Sequence, residues 1–149
     1  MLNVVRTAEV LQRTMSNFLK EFDLSAVQYN VLRILRGAGE PGATCSQIGE
    51  RLLTRDPDIT RLLDRMEARG LIARERSTED RRAVITRISD AGRALVDSMD
   101  QPLHAMNRAK LGKFGHAALR TLIDELERMR EMLEAEESSV EADYERNTK

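Results

Sequence analysis

Residues 59–89 read ITRLLDRMEARGLIARERSTEDRRAVITRIS, and within them the periodicity changes. Ile59, Leu62, Leu63 and Met66 recur in steps of three and four, which puts them on one face of a helix. Gly70 follows the last of these turns and suits the left-handed residue that closes a helix. After it, Leu71 to Arg76 and Val84 to Ile88 read as two short strands around a turn at Ser77 to Arg82. The tip of that turn is charge and turn formers, with two adjacent arginines, Arg81 and Arg82.

Upstream, Asp56-Pro57 reads as an N-cap followed by proline at the first helical position, so the helix is expected over Asp56 to Arg69. Before it, Thr44-Cys45-Ser46-Gln47 has the spacing of a capping box and opens a short helix, Ser46 to Leu53. Ser25-Ala26-Val27-Gln28 repeats the pattern and opens a helix carrying Val27, Val31, Leu32 and Leu35, ended by Gly37, Gly39, Pro41 and Gly42. The N-terminal segment, Leu2 to Phe22, forms a stripe of Val4, Ala8, Leu11, Met15, Phe18 and Phe22. Downstream, a helix from about Asp90 to Leu111 carries Leu95, Met99, Leu103 and Met106 on one face, with Pro102 expected to bend it. A last helix from about His116 repeats Leu119, Leu122, Leu126, Met129 and Leu133, a coiled-coil-type seam, and its polar tail after Ser138 is expected to fray. The order is helix, helix, short helix, helix, hairpin, helix, helix. The fold class is therefore mainly α with a small β-hairpin: a winged helix-turn-helix lobe over residues 24–92, with residues 1–23 and 93–143 as helical dimerisation regions of one 149-residue domain.

Composition narrows the function. The chain is 41% apolar but only 3% aromatic, so aliphatic and methionine side chains fill its core. Its net charge is −1, but that charge is unevenly placed. From Arg51 to Arg87 ten arginines face seven acids, whereas from Asp124 to Glu145 ten acids face two arginines. One end is suited to a polyanion and the other to water. A single cysteine, Cys45, excludes an internal disulfide, no run of about 18 apolar residues could span a membrane, and the N-terminus alternates charged and apolar residues, so no signal peptide is expected. A cytoplasmic location is expected. No glycine-rich phosphate loop, nucleophile elbow or paired metal-binding histidines are present, so no enzyme, cofactor or metal is expected. His104 and His116 are the only histidines, twelve residues apart, and a closed zinc site needs about four ligands.

Two helices joined by a tight turn form a helix-turn-helix, whose second helix lies in the major groove. With Ile59, Leu62, Leu63 and Met66 buried, that helix would present Pro57, Arg61, Asp64 and Arg65, flanked by Asp58 and Thr60. Arginine bonds bidentately to guanine, threonine meets a base edge or a thymine methyl, and aspartate accepts from cytosine. A bland reading, a surface helix of i,i+4 ion pairs, competes for this helix alone. The adjoining hairpin tips the balance, because arginines at its tip suit the negative potential of a narrow minor groove. Asp80 beside them makes sense as a carboxylate that directs an arginine.

The segment DRRAVITRIS resembles the wing signature of the MarR family of bacterial transcriptional regulators: Asp80 and Arg82 match, and Ile88-Ser89 stand for its Leu-Thr. ITRLLDRMEARGLIARERS is similar to the family's recognition helix and first wing strand, and ATCSQIGERL to the preceding helix. The resemblance covers roughly Leu24 to Leu95. It implies a homodimer with interlocked terminal helices that represses or activates promoters through pseudo-palindromic sites, and a repressor is expected here. It also implies Arg82 in the minor groove, Asp80 orienting the wing, and the Pro57–Arg65 surface in the major groove. Asp58 stands where the family often has a small hydroxyl residue.

The residues expected at double-stranded DNA are Arg55, Pro57, Asp58, Thr60, Arg61, Arg65, Asp80, Arg81 and Arg82. Those expected at the dimer interface are Leu11, Met15, Phe18, Leu119, Leu122, Leu126, Met129 and Leu133. The resemblance also implies a small aromatic or anionic effector that releases DNA from a cleft between the wing lobe and the dimer helices. Met15, Phe18, Phe22 and Tyr29 are candidates for that cleft, although such a stripe is more often plain core. Cys45 lacks a resolving partner and reads as a buried structural thiol. The competing function is a winged helix used for protein contacts alone, without DNA.

Overall fold

The computed structural model describes residues 1–52, 58–77 and 83–147, with the side chains of 137–147 excepted. Helix α1 spans Leu2–Lys20 and α2 Ala26–Ala38; a two-residue strand β1, Ala43–Thr44, precedes α3, Cys45–Arg51. Helix α4 is Ile59–Ala68, strands β2 and β3 are Ile72–Arg76 and Val84–Ile88, and α5 is Asp90–Leu111. A 3-10 turn, Gly112–Phe114, leads into α6, His116–Asn147. The chain forms two compact units, Met1–Leu103 and His104–Lys149.

Local chemistry sets most element ends. Both capping boxes form: Ser25 Oγ accepts from Gln28 N–H at 3.2 Å while Gln28 Oε1 accepts from Ser25 N–H at 3.0 Å. Thr44 and Gln47 do the same at 3.3 and 2.9 Å. At the end of α4, Leu71 N–H donates to Met66 O and Gly70 N–H to Glu67 O, with Gly70 at φ +69°. These two bonds are the Schellman pattern, which a left-handed glycine permits. Ser89 starts α5, its hydroxyl accepting from Gly92 N–H at 3.0 Å and donating to Gly70 O at 2.6 Å.

Four expectations need correction. Helix α4 begins at Ile59 with Asp58 as its cap, whose Oδ1 accepts from Arg61 N–H at 3.4 Å; Asp56 and Pro57, expected to start it, lie outside the described residues. The sheet has three strands, ordered β1-β3-β2, because Ala43 pairs with Thr86 and Thr44 with Ile85. Gly42 makes that approach possible: a Cβ there would lie 2.6 Å from Thr86 O. On α5 the fully buried residues are Gly92, Val96 and Met99, while Leu95 and Leu103 are only partly covered. Gly92 lies directly against Leu71 O, and that contact turns Val96 inward. Finally, α6 remains helical past Ser138, to Asn147.

The core of the first unit gathers Leu19 from α1, Val31, Leu32 and Leu35 from α2, Ile48 from α3, Leu63 and Met66 from α4, Ile72 from β2, and Val96 and Met99 from α5. Arg36 on α2 bonds Asp100 and Asp97 on α5 at 3.0 and 2.9 Å. Those bonds, Asp100 foremost, raise its pKa. In the second unit, Leu122, Ile123, Leu126, Met129, Met132 and Leu133 of α6 are all exposed.

Candidate nucleic-acid interface

Helix α4 is divided by its own periodicity. Leu62, Leu63 and Met66 are buried, Ile59 is partly buried, and Thr60, Arg61, Asp64 and Arg65 face outward. Asp58, Arg61, Asp64 and Arg65 line a shallow groove of about 340 Å3. Within it, Asp58 does two jobs. It caps the helix, and its Oδ2 pairs with the Arg61 guanidinium at 3.2 Å, although the Arg61 side chain remains 81% exposed. Arg65 lies along the helix, its Nε donating to Arg61 O at 3.2 Å. The arginines therefore project from a rigid helix with their stems directed by local contacts.

The expected DNA residues Asp58, Thr60, Arg61 and Arg65 share this surface. Arg55, Pro57, Asp80, Arg81 and Arg82 lie outside the described residues. The base of the hairpin is defined: Arg76 pairs with Val84, and Ser77 N–H donates to Ala83 O at 2.9 Å. Lower in the hairpin, Arg87 on β3 bonds both Glu75 on β2 and the Glu40 carbonyl, which ties the sheet to the turn after α2.

Two further attachments of α4 were not read from the sequence. At its end, Arg69 bonds Asp23 Oδ2 at 3.0 Å and reaches Gln28 Oε1 at 3.5 Å. Asp23 occupies the turn between α1 and α2 at φ +52°, and these side chains border a hollow of about 530 Å3 that Lys20 also lines. On the other side, Glu67 and Asp64 meet Arg74 of β2. The hydrogen-bonded Arg74 guanidinium holds the Glu67 carboxyl below its ordinary value of 4.5. Neither attachment has a sequence signature, since the partners lie far apart or on different elements.

Of the residues expected at a dimer interface, Leu11 is exposed, Met15 is partly covered, and Phe18 is buried within its own chain, its ring 5.1 Å from that of Phe22. Leu119 is partly covered, while Leu122, Leu126, Met129 and Leu133 are exposed along α6. Tyr29, a cleft candidate with Phe18, is also buried, with Arg33 stacked 5.9 Å from its ring centre. Cys45, expected to be buried, is partly exposed at the first position of α3. Among the described residues, no three His, Cys, Asp or Glu side chains are placed to hold a metal, and no helix is long and apolar enough to cross a membrane.

Comparison with known proteins agrees with this layout. A sequence model of the MarR family matches residues 22–83. The transcriptional regulator TtmR of Methylorubrum extorquens is 34% identical over 140 residues, covering 93% of this chain and 69% of that protein. Some other curated relatives are matched over little more than half their length. A MarR transcription factor from Planctomyces limnophilus superimposes with a TM-score of 0.66 at 36% identity, over 85% of this chain and 91% of that one. MepR of S. aureus, solved as a DNA complex, gives 0.76 at 20% identity over 89% and 97% and shares the fold. TtmR and the Planctomyces limnophilus protein are regulators of transcription rather than enzymes. The family model over residues 22–83, with 36% identity to a MarR transcription factor over 91% of its length and 34% identity to TtmR over 93% of this chain, places the chain in the MarR family of transcriptional regulators.

Proposed function

We propose that this regulator binds double-stranded DNA sequence-specifically as a cytoplasmic homodimer on pseudo-palindromic promoter sites, and that it acts as a repressor. The observation that carries the reading is the outward face of α4, where Arg61 and Arg65 project from a helix anchored by Leu62, Leu63 and Met66. Inserted in the major groove, the Pro57–Arg65 surface would meet base edges through Asp58, Thr60, Arg61 and Arg65, and Arg55 is a further expected contact to DNA. Arg81 and Arg82 would reach the adjoining minor groove, with Asp80 directing Arg82. MepR, of the same fold, is known in complex with DNA.

The exposed apolar row on α6 supports a dimer, and so, on its own unit, does the exposed row of Val4, Val5, Val10 and Leu11 on α1, since apolar patches mark interfaces. Two half-sites would then lie about 10 bp apart, or a multiple of that. Release by a small aromatic or anionic effector is part of the proposal, and in the hollow lined by Lys20, Asp23 and Arg69 an anion would compete with Asp23 for Arg69. A mobility-shift assay on the DNA directly upstream of the protein's own gene tests the reading. A shifted band that unrelated duplex does not compete away supports it, and no shift at low salt refutes it for that site.

A further inference from the structure

Arg74 occupies the middle of β2, an edge strand of the β1-β3-β2 sheet. An edge strand ordinarily leaves its outer N–H groups to solvent. Here Arg74 N–H turns away from β3 and donates to Glu67 Oε1 at 3.1 Å. Its Nε and Nη2 donate to Glu67 Oε2 at 2.9 and 2.6 Å, and Nη2 also reaches Asp64 Oδ1 at 2.5 Å. Backbone and guanidinium of one residue thus hold two carboxylates one turn apart on α4.

A single exposed ion pair would contribute little. This arrangement differs, because the Arg74 side chain is only 23% exposed and its planar fork fixes direction as well as distance. Between α4 and β2 the chain passes through Gly70, a left-handed turn held by two backbone bonds. Ser89 also bonds the carbonyls of Gly70 and Leu71, and Arg74 adds to these a direct tie between side chains of the helix and the strand. Asp64 is also one wall of the groove that holds Arg61 and Arg65. Pairing with Arg74 offsets an acid that would otherwise face a polyanion.

We propose that Arg74, gripping Glu67 and Asp64, is a positioning residue that locks the recognition helix α4 to the wing strand β2, so that both meet DNA at one fixed angle. The inference rests on the DNA-binding reading above. Base edges reward a fixed angle, whereas contacts to phosphates tolerate a loose one. The clasp therefore contributes to discrimination between sequences more than to attraction for nucleic acid.

Glu67→Ala separates this from simple electrostatics. Removing an acid from a DNA-facing lobe should tighten binding to any duplex if charge alone matters. The clasp instead requires weaker binding to the preferred sequence. Fluorescence anisotropy would use a duplex enriched from a random library by the wild-type protein, and a scrambled duplex of equal length. Glu67→Ala is expected to lose about tenfold on the enriched duplex, the effect of losing one charge-assisted contact, with no loss on the scrambled one. Arg74→Lys, which keeps the charge but not the fork, should show the same selective loss. Unchanged or tighter binding to the enriched duplex, or equal losses on both, overturns the proposal. Amide exchange in the free protein supplies the DNA-independent check. The Arg74 amide should lose protection in Glu67→Ala while the β2–β3 ladder keeps its own. Unchanged Arg74 protection refutes the clasp itself, whereas a wild-type protein that enriches no sequence refutes the DNA reading on which it rests.

Discussion

Gly92 and Gly37 both lie in helices, yet replacing each with alanine should change stability in opposite directions. A Cβ on Gly92 would sit 2.1 Å from Leu71 O, 3.0 Å from its carbonyl carbon and 3.1 Å from Ile88 Cγ1. Ordinary contact begins near 3.4 Å, so the overlap with a backbone atom exceeds an ångström and no side-chain rotation relieves it. The same Leu71 carbonyl accepts the Ser89 N–H at 3.1 Å, so α5 cannot retreat without stretching that bond. Alanine gains at most about 1 kcal/mol in helix propensity, whereas overpacking costs about 1–3 kcal/mol and a weakened hydrogen bond about 1 more. Overpacking wins, and Gly92→Ala should destabilise the lobe by about 2 kcal/mol. On α2, a Cβ added at Gly37 would meet nothing within 4 Å, so Gly37→Ala should stabilise by about 0.5 kcal/mol through propensity alone. Urea denaturation at pH 7 reads both, with the midpoint moving and the slope unchanged. A neutral or stabilised Gly92→Ala would mean that α5 does not approach Leu71 so closely, and the placement of α4 against the sheet would fall with it.

Acid should loosen the contact between α4 and β2. Arg74 lowers the folded-state pKa of Glu67, so that carboxyl stabilises the native chain above about 4.5, and the contribution disappears as pH falls through the lower folded value. The urea midpoints of wild type and Glu67→Ala should therefore differ at pH 7 and converge toward pH 3; a constant gap would contradict the pairing. Arg61→Ala should cost about 1–3 kcal/mol on the preferred duplex and relax preference at particular base pairs, as competition binding with single-base variants would read. Leu126→Asp, placed in the exposed row of α6, should shift the protein toward monomer in sedimentation equilibrium, and an unaltered dimer would remove that row from the interface. Cys45→Ser should leave DNA binding with and without peroxide unchanged, and loss of a peroxide response would assign the thiol a sensing role.

What the sequence disclosed was set by how local its causes are. Ser25 and Gln28, or Thr44 and Gln47, sit three residues apart and find each other within one turn, so both helix starts were legible. Gly70 as the end of α4 and the pairing of Ile72–Arg76 with Val84–Ile88 were legible for the same reason. Two nearby aspartates compete to cap α4, and only the fold shows Asp58 in that place. β1 is two residues long and exists because β3 passes beside Gly42, so periodicity could not reveal it. The inward face of α5 depends on the close approach at Gly92, a contact between distant parts of the chain. The arginine face of α4 followed from its apolar repeat, whereas Arg74 gripping Glu67 and Asp64 needed the sheet to be in place. Arg81 and Arg82, the residues that made the hairpin conspicuous, lie outside the described residues, and their place in the minor groove belongs to the proposed function.

Reading of DNA sequence through α4 and the hairpin beside it is the core of the proposed function. Its most direct measurement is the affinity of the wild-type protein for an enriched duplex and a scrambled one across a salt series. A preference of about a thousandfold or more for the enriched duplex is expected, with log affinity falling linearly and steeply as log salt rises on both. Equal affinity for the two duplexes, or association indifferent to salt, would contradict it.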